Sequence, residues 1–343
     1  MTQSPVPPDI AAFIANLPKA ELHVHQVGSA SPATVASLAA RHPGTVPSDP
    51  DALADYFTFT DFGHFIEVYL SVVDLVREPI DVRELTYGVA TDLAAQNVQY
   101  AELTVTPYTS VIRGIDPAAF VEAIEDARVA AERDLGLTLR WIFDIPGESG
   151  IEAAEGTLKV ALEHGPSTLV GFGLGGPEIG VPRPQFAPYF DAARAAGLHS
   201  VPHAGESTGA QTIWDAIHTL GAERIGHGIA AATDPELMAY LAENNIALEV
   251  CPTSNVATRC VPSIEEHPLP VLVAAGVPVT INSDDPPMFG TTINREYEIA
   301  TELLGLDRHG IVDLAKAAVH ASFIGEADKW ALIDQIDDTA SRS

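Results

Sequence analysis

Eight short β-rich runs alternate with Ala-rich helical stretches along the 343 residues, and this alternation constrains the fold more than any other feature of the chain. The runs fall at 20–25, 98–105, 138–145, 168–174, 199–204, 224–227, 247–252 and 278–283. Helical patterns lie between them, for example at 118–134, 189–196 and 235–244. Strands separated by helices imply βαβ units and a parallel sheet. Eight such units predict an α/β fold of the closed (β/α)8 barrel type, in which active-site residues gather at the C-terminal ends of the strands. The length allows one large domain or two ordinary ones, and the barrel reading takes residues 1–343 as a single domain.

One connection is abnormal. About 70 residues separate the first run from the second, and a loop of that length holds structure of its own. A helical insert is expected over about 31–95, with helices at 31–40, where Ser31 can serve as N-cap, and at 61–76. Tyr56, Phe57, Phe59, Phe62, Phe65 and Tyr69 crowd this insert. They are read as packing residues, with an apolar lid over the barrel mouth as the alternative.

The formal net charge of −29, from 47 acidic and 18 basic residues, argues against nucleic acid, whose phosphates require clustered Lys and Arg, and against an anionic membrane surface. Two cysteines, Cys251 and Cys260, make no disulfide framework and suit a reducing compartment. The start Met1-Thr2-Gln3-Ser4-Pro5 lacks the basic and apolar segments of a signal peptide, and no apolar stretch reaches the roughly 20 residues of a membrane span. The expectation is a soluble cytoplasmic protein that acts on a small molecule.

The polar residues at the strand ends supply the chemistry. His23 and His25 lie at i and i+2 of the first run, so both imidazoles face one side of a strand and can grip one ion. A lone His-x-His is a weak signal. Its weight comes from His203, His227 and Asp284, each of which ends or follows a later strand. Three neutral imidazoles and one carboxylate suit Zn²⁺ or a similar borderline ion, and an open position takes a water whose pKa falls towards roughly 7. The expected ligands are His23, His25, His203 and Asp284 around a single ion. A binuclear site is disfavoured because no Lys stands at 168–176 and Lys159 lies in a helical pattern. Glu206, three residues beyond His203, can reach a substrate without binding metal and suits a proton donor or shuttle. His227 can orient or deprotonate the attacking water. Asp285 follows a ligand directly, so its side chain points elsewhere and can hold a substrate nitrogen.

The stretches LPKAELHVH (17–25), HAGE (203–206), RIGHG (224–228), LEVCPTSN (248–255) and NSDDPPMFGT (282–291) resemble, in order and over about residues 17–325, the adenosine deaminase family of the amidohydrolase superfamily. The resemblance implies a zinc-dependent 6-aminopurine deaminase that binds a purine nucleoside. It matches His23, His25, His203 and Asp284 to the zinc ligands and Glu206 to the residue that protonates purine N1. It matches His227 to the residue that orients and deprotonates the attacking hydroxide, Asp285 to the contact with N7, and Gly176 to the glycine whose N–H meets N3.

The chain departs from that pattern at the first strand. Adenosine deaminases have His-x-His-Leu-Asp-Gly and adenine deaminases of the group have Glu in place of the Asp; here Val27 stands at that position. The acid is understood to accept a hydrogen bond from the ribose 5′-hydroxyl, which valine cannot do. A site without that acceptor suits a nucleoside whose 5′ position carries a bulky substituent and no free hydroxyl. The run HQVGSASP (25–32) is similar to that of a branch of the family whose substrate bears a carboxyphenyl group through a short 5′ linker. Arg183 and Arg259, on loops after strand ends, are candidate cations for such a carboxylate, though each reads first as a surface or structural Arg. Gly173, where the family often has Asp, and Pro177 after Gly176 are further departures. The alternatives are an adenosine or adenine deaminase of purine salvage, a hydrolase of another amidohydrolase class, and a deaminase-like binding protein without catalysis.

Overall fold

The computed structural model describes residues 6–59 and 62–342. Its eight strands are β1 (Lys19–His25), β2 (Val98–Val105), β3 (Thr138–Pro146), β4 (Leu169–Gly175), β5 (His199–Ala204), β6 (Arg224–His227), β7 (Ala247–Val250) and β8 (Val279–Ile281). They hydrogen-bond in chain order, every pair parallel. Just beyond β8 a parallel bridge between Val24 and Asp284 carries the sheet back to β1, through His25 N to Asp284 O (3.1 Å) and Asp284 N to His23 O (3.0 Å). The barrel expectation therefore holds, and helices fill the connections. Two strands end earlier than expected. Pro252 opens the helix Pro252–Ala257, which stops β7 at Val250, and Asp284 turns the chain at φ +66° soon after the short β8.

The helices are closed by local chemistry. Asp116 caps Pro117–Leu135 and Asp234 caps Pro235–Glu243, each accepting two backbone N–H groups, with Pro near the helix start, where its missing donor costs nothing. Trp141, Phe143 and Phe172 are fully buried between the sheet and the helices, where Trp141 donates to Glu125 and the rings of Phe143 and Phe172 meet Phe120 and Phe190. Charge is buried too, at Lys19, Glu21, Glu102, Arg224 and Glu249.

The insert between β1 and β2 contains the helices Pro32–Arg41, Pro50–Tyr56, Phe62–Val73 and Pro79–Ala95. The helix expected at 61–76 stops at Val73, and Asp61 lies outside the described residues. Ser31 stands at the N-cap position without capping; its hydroxyl meets Thr34 Oγ1 at 3.2 Å instead of a backbone N–H. The aromatics divide between the two readings. Phe57 is buried in the core and Tyr56 bonds Ser71, whereas Phe65 packs against Phe59, Tyr69 and Phe289 (ring centroids 5.3, 6.0 and 5.1 Å). Phe289 lies four residues after Asp285, so this cluster sits beside the strand ends that carry the site. The side chain of Phe62, and residues 1–5, lie outside the described residues. No helix among the described residues is long and apolar enough to cross a membrane.

Candidate active site

His23 and His25 do not sit on a regular strand. Between Glu21 and Val24 β1 slips by one residue against β2, a bulge that re-aims the side chains around it. The two rings lie 5.2 Å apart, and His203 from β5 and His227 from β6 complete the group, with His23–His203 and His23–His227 centroids at 4.5 and 4.7 Å. Gly226 makes this possible, because a Cβ there would stand 2.9 Å from His23 Cε1 and 3.1 Å from His203 Cγ.

The donor atoms converge. His25 Nε2 lies 3.2 Å from His203 Nε2 and 3.3 Å from Asp284 Oδ1, and His23 Nε2 lies 3.6 Å from the same oxygen. Ligands bound at about 2.0–2.1 Å around a four-coordinate zinc stand roughly 3–3.5 Å from one another, so this spacing fits an ion. The hydrogen bonds agree. His23 donates from Nδ1 to Glu249 Oε2 at 2.7 Å, which turns its Nε2 lone pair inward, where that buried atom has no hydrogen-bond partner. Ser254 Oγ holds Asp284 Oδ2 at 2.6 Å and leaves Oδ1 to the histidines. The four expected ligands are thus brought together and can hold a metal.

Electrostatics prepare the same set. Burial, followed by the positive charge of His23, keeps His227 down at about 4 and His203 well below its ordinary range. Burial likewise holds His25 at about 4 against the pull of Asp284. Burial opposes ionisation of Asp284, but the imidazoles around it, with His23 Nε2 3.6 Å away, hold its carboxyl well below the usual range. For His23 burial is outweighed by the nearby Asp284 carboxylate and by the hydrogen bond and charge of Glu249, which push it up to about 10. A cation, proton or metal, is drawn to its Nε2.

Two carboxyls go the opposite way. Burial, then the charges of Asp284 and Glu178, pushes Glu206 up to about 8. Burial and the charge of Asp284 raise Asp285 well above its ordinary value. Glu206 therefore keeps its proton near neutral pH, and Asp285 is shifted in the same direction. Asp285 Oδ1 is buried without a partner, seated where a Cβ on Gly28 would lie 1.7 Å away. His227, in the left-handed region at φ +59°, has Nε2 3.7 Å from Glu206 Oε2 and 3.8 Å from Asp284 Oδ2. Strain of this kind on a non-glycine residue is held in place only by its surroundings.

Several supporting residues escaped the reading of the sequence. Glu178, buried in the loop after β4, accepts from the N–H groups of Gly205, Glu206 and Ser207 (2.7, 2.7 and 2.9 Å) and from Thr208 Oγ1 (2.6 Å), pinning the loop that carries Glu206. Glu249 is tied to Arg224 Nε (2.6 Å), and Arg224 reaches Glu102 (2.5 Å). At the end of β3, Asp144 accepts from Thr106 Oγ1 at 2.6 Å and, chiefly through burial, is raised to about 7. Glu178 and Asp144 are acids outside the recognised motifs, whereas Arg224 and Glu249 stand inside RIGHG and LEVCPTSN, where the signal was visible.

Gly176 is exposed at φ +76°, where a Cβ would meet Glu148 Oε2 at 2.3 Å, so the position demands glycine. Val27 is half-buried against the core. Arg183 is not a rim cation. It is fully buried and donates to His203 O (3.0 Å) and Val181 O (3.2 Å), which fits its reading as a structural residue. Arg259 is exposed at φ +62°.

A parallel eight-stranded barrel with three imidazoles and a carboxylate converging at its C-terminal mouth, beside a protonated carboxyl, defines a metal-dependent hydrolase of the amidohydrolase kind. The family profile described as adenosine deaminase matches residues 18–339. The chain belongs to the adenosine deaminase family, whose members are metal-dependent deaminases. It is 65% identical over 335 residues (97% of this chain, 87% of the relative) to an aminodeoxyfutalosine deaminase of Streptomyces coelicolor. It is 37% identical (93% of this chain, 97% of the relative) to an adenine deaminase of Chelativorans sp. strain BNC1. Among solved structures it resembles an adenine deaminase from Arthrobacter aurescens (TM-score 0.89, 30% identity, covering 95% of this chain and 99% of that one). It also resembles a zinc-bound amidohydrolase from Burkholderia ambifaria (TM-score 0.88, 25% identity, covering 100% and 97%).

Proposed function

We propose that this chain is a zinc enzyme that hydrolytically deaminates 6-aminodeoxyfutalosine to futalosine and ammonia, a step of menaquinone biosynthesis. The observation that carries the reaction class is the convergence of three imidazoles and the Asp284 carboxylate beside Glu206 and Asp285, two buried carboxyls whose proton affinity is raised. One Zn²⁺ would be held by His23, His25, His203 and Asp284, and when bound it supplies Lewis acidity that lowers the pKa of water at its open position.

The other roles belong to side chains. Purine N1 and N7 are both acceptors, and a buried acid can serve an acceptor only if it keeps its proton. Glu206, raised to about 8 and pinned by Glu178, faces N1 and delivers its proton there as C6 becomes tetrahedral. Asp285, also raised and with Oδ1 unpaired, donates to N7. His227 orients the attacking oxygen between Glu206 and Asp284. The N–H of Gly176 meets N3. Glu206, now a carboxylate, takes the proton of the added hydroxyl and passes it to the amino group, so that C6=O forms as the C6–N bond breaks and ammonia leaves; the proton shed by the attacking water restores the acid form of Glu206.

The choice of nucleoside rests on Val27 and on the relatives. Valine offers no acceptor to a 5′-hydroxyl, and the two Streptomyces proteins at 65% and 64% identity are named aminodeoxyfutalosine deaminases. The test is kcat/KM on the zinc-loaded enzyme for aminodeoxyfutalosine, adenosine, methylthioadenosine and adenine. The 5′-substituted nucleosides are expected to lead. A preference for adenosine or for adenine would return the chain to purine salvage and refute the inference from Val27.

A further inference from the structure

Behind His227 runs a line of hydrogen bonds that reaches away from the mouth and ends on the backbone. Asn255 Nδ2 lies 3.1 Å from His227 Nδ1, Asn255 Oδ1 lies 3.2 Å from His267 Nε2, and Leu269 N lies 3.1 Å from His267 Nδ1. The direction of every bond follows from its far end. A backbone N–H can only donate, so His267 Nδ1 must accept from Leu269. Burial keeps His267 down at about 4, so its ring is neutral near pH 7 and carries its single proton on Nε2. That proton goes to Asn255, whose carbonyl oxygen therefore faces His267 and whose NH₂ faces His227. His227 Nδ1 must accept from it. A neutral His227 then has its proton on Nε2, the atom that points to the space between Glu206 and Asp284.

We infer that Asn255 and His267 are positioning residues that lock His227 in the Nε2–H tautomer. In its resting state His227 thus offers the attacking oxygen a hydrogen-bond donor and no basic lone pair, so it orients that oxygen and does not take its proton. The geometry is built to last. Asn255 is fully buried, and its backbone is fixed by Asn255 N to Cys251 O (3.0 Å) and Val261 N to Asn255 O (2.9 Å). His267 is almost fully buried. A ring held in the left-handed region needs such an anchor, since nothing in its own backbone preference keeps it there. The inference deepens the deaminase reading and rests on it for its catalytic meaning, but the tautomer is a property of the protein alone.

The test joins a spectroscopic and a kinetic readout on metal-loaded protein. Two-bond ¹H–¹⁵N spectra of histidine-labelled protein, with His227 assigned by the His227→Gln variant, should show proton on Nε2 and a bare Nδ1. A wild-type ring protonated on Nδ1 would overturn the inference without any further variant. Asn255→Asp puts an acceptor where the donor was and should move the proton to Nδ1. Serine proteases with a wrong-tautomer histidine lose about 10⁴-fold in kcat, and here kcat should fall by roughly 10²-fold or more, with KM and bound metal unchanged. His267→Gln leaves the ring pair intact on one side only and should show a mixed tautomer with a kcat loss of about 10-fold. Unchanged kcat in both variants, or a loss that appears in KM or metal content alone, would sink the proposal. A wild-type enzyme that releases no ammonia from any aminopurine would remove the deaminase reading, and the spectra would still decide the tautomer.

Discussion

Replacing Glu178 by glutamine tests whether the loop after β4 sets the acid that protonates the purine. Both carboxylate oxygens are used: Oε2 takes Gly205 N–H and Thr208 Oγ1, and Oε1 takes Glu206 N–H and Ser207 N–H. A glutamine must turn its NH₂ to one side. Facing Gly205 it orphans one backbone N–H, because the Thr208 hydroxyl can rotate to accept; facing Glu206 and Ser207 it orphans two. The first orientation wins. One unpaired buried N–H costs about 1–3 kcal/mol, or roughly 5- to 150-fold in the population of the correctly placed loop. The loss should appear in kcat/KM and remain within that ceiling. The lost charge has a separate effect. After burial, Glu206 is raised by Asp284 and then by Glu178. A bound cation shares the charge of Asp284, so in the loaded enzyme burial and Glu178 carry the shift. Glu206 is needed as the acid, so activity falls as pH rises through its pKa. Removing a neighbouring negative charge lowers that pKa and moves the basic limb of the kcat/KM profile to lower pH. The assay is ammonia release across pH with wild type and Glu178→Gln side by side. A variant with an unmoved basic limb and kcat/KM within twofold of wild type would refute the reasoning.

Other perturbations read other parts of the site. Glu206→Gln keeps the donor set intact and should retain full metal content while losing deamination by several orders of magnitude; turnover near the wild-type rate would remove Glu206 from the mechanism. Glu249→Ala unties His23 Nδ1 and should weaken metal affinity about 10- to 100-fold, measured by competition with a chelator; unchanged affinity would show that the orientation of His23 comes from packing. Gly28→Ala drives a methyl into Asp285, so kcat/KM should drop by at least about 10-fold with metal content unchanged, and a neutral variant would place Asp285 outside the substrate site. Val27→Asp supplies the missing acceptor and should raise kcat/KM for adenosine relative to the 5′-substituted nucleoside, a ratio read directly by competition between the two.

The barrel and the convergence of His23, His25, His203 and Asp284 were legible because both obey strong local rules. Alternating strand and helix patterns leave few topologies, and residues that end parallel strands of one barrel gather at the same end of it. The bulge in β1 was not legible, since nothing in KAELHVH marks the residue at which the register slips. Glu178 and Asp144 were missed for a related reason. A carboxylate in a loop or at the end of an ordinary strand looks like any solvated acid until the fold shows three backbone N–H groups or a threonine hydroxyl turned towards it. Arg183 went the way of its structural reading and not of its reading as a cation for a carboxylate: it is buried and its guanidinium is spent on main-chain carbonyls. Position along the chain predicts which end of the barrel a residue occupies; it does not predict whether its side chain turns outward or into the protein.

The charged floor of the barrel gives the site its affinity for a cation before any ligand is counted. Glu102 and Glu249 flank one guanidinium, Arg224, which is held to both and stacked 4.1 Å from the Phe323 ring. The three groups sum to one negative charge in a region without solvent, and Glu249 passes it to His23 Nδ1. A buried pair of this kind adds little stability over an apolar core, so its presence in a barrel interior that branched apolar side chains usually fill calls for another reason. That reason lies one bond further in. Arg224 keeps Glu249 ionised, holding its carboxyl below the ordinary range despite burial, and an ionised Glu249 fixes both the tautomer and the basicity of a ring whose other nitrogen has no protein partner. The arginine of RIGHG and the glutamate of LEVCP are therefore the means by which β6 and β7, which contribute none of the four proposed ligands, fix the orientation of His23 on β1.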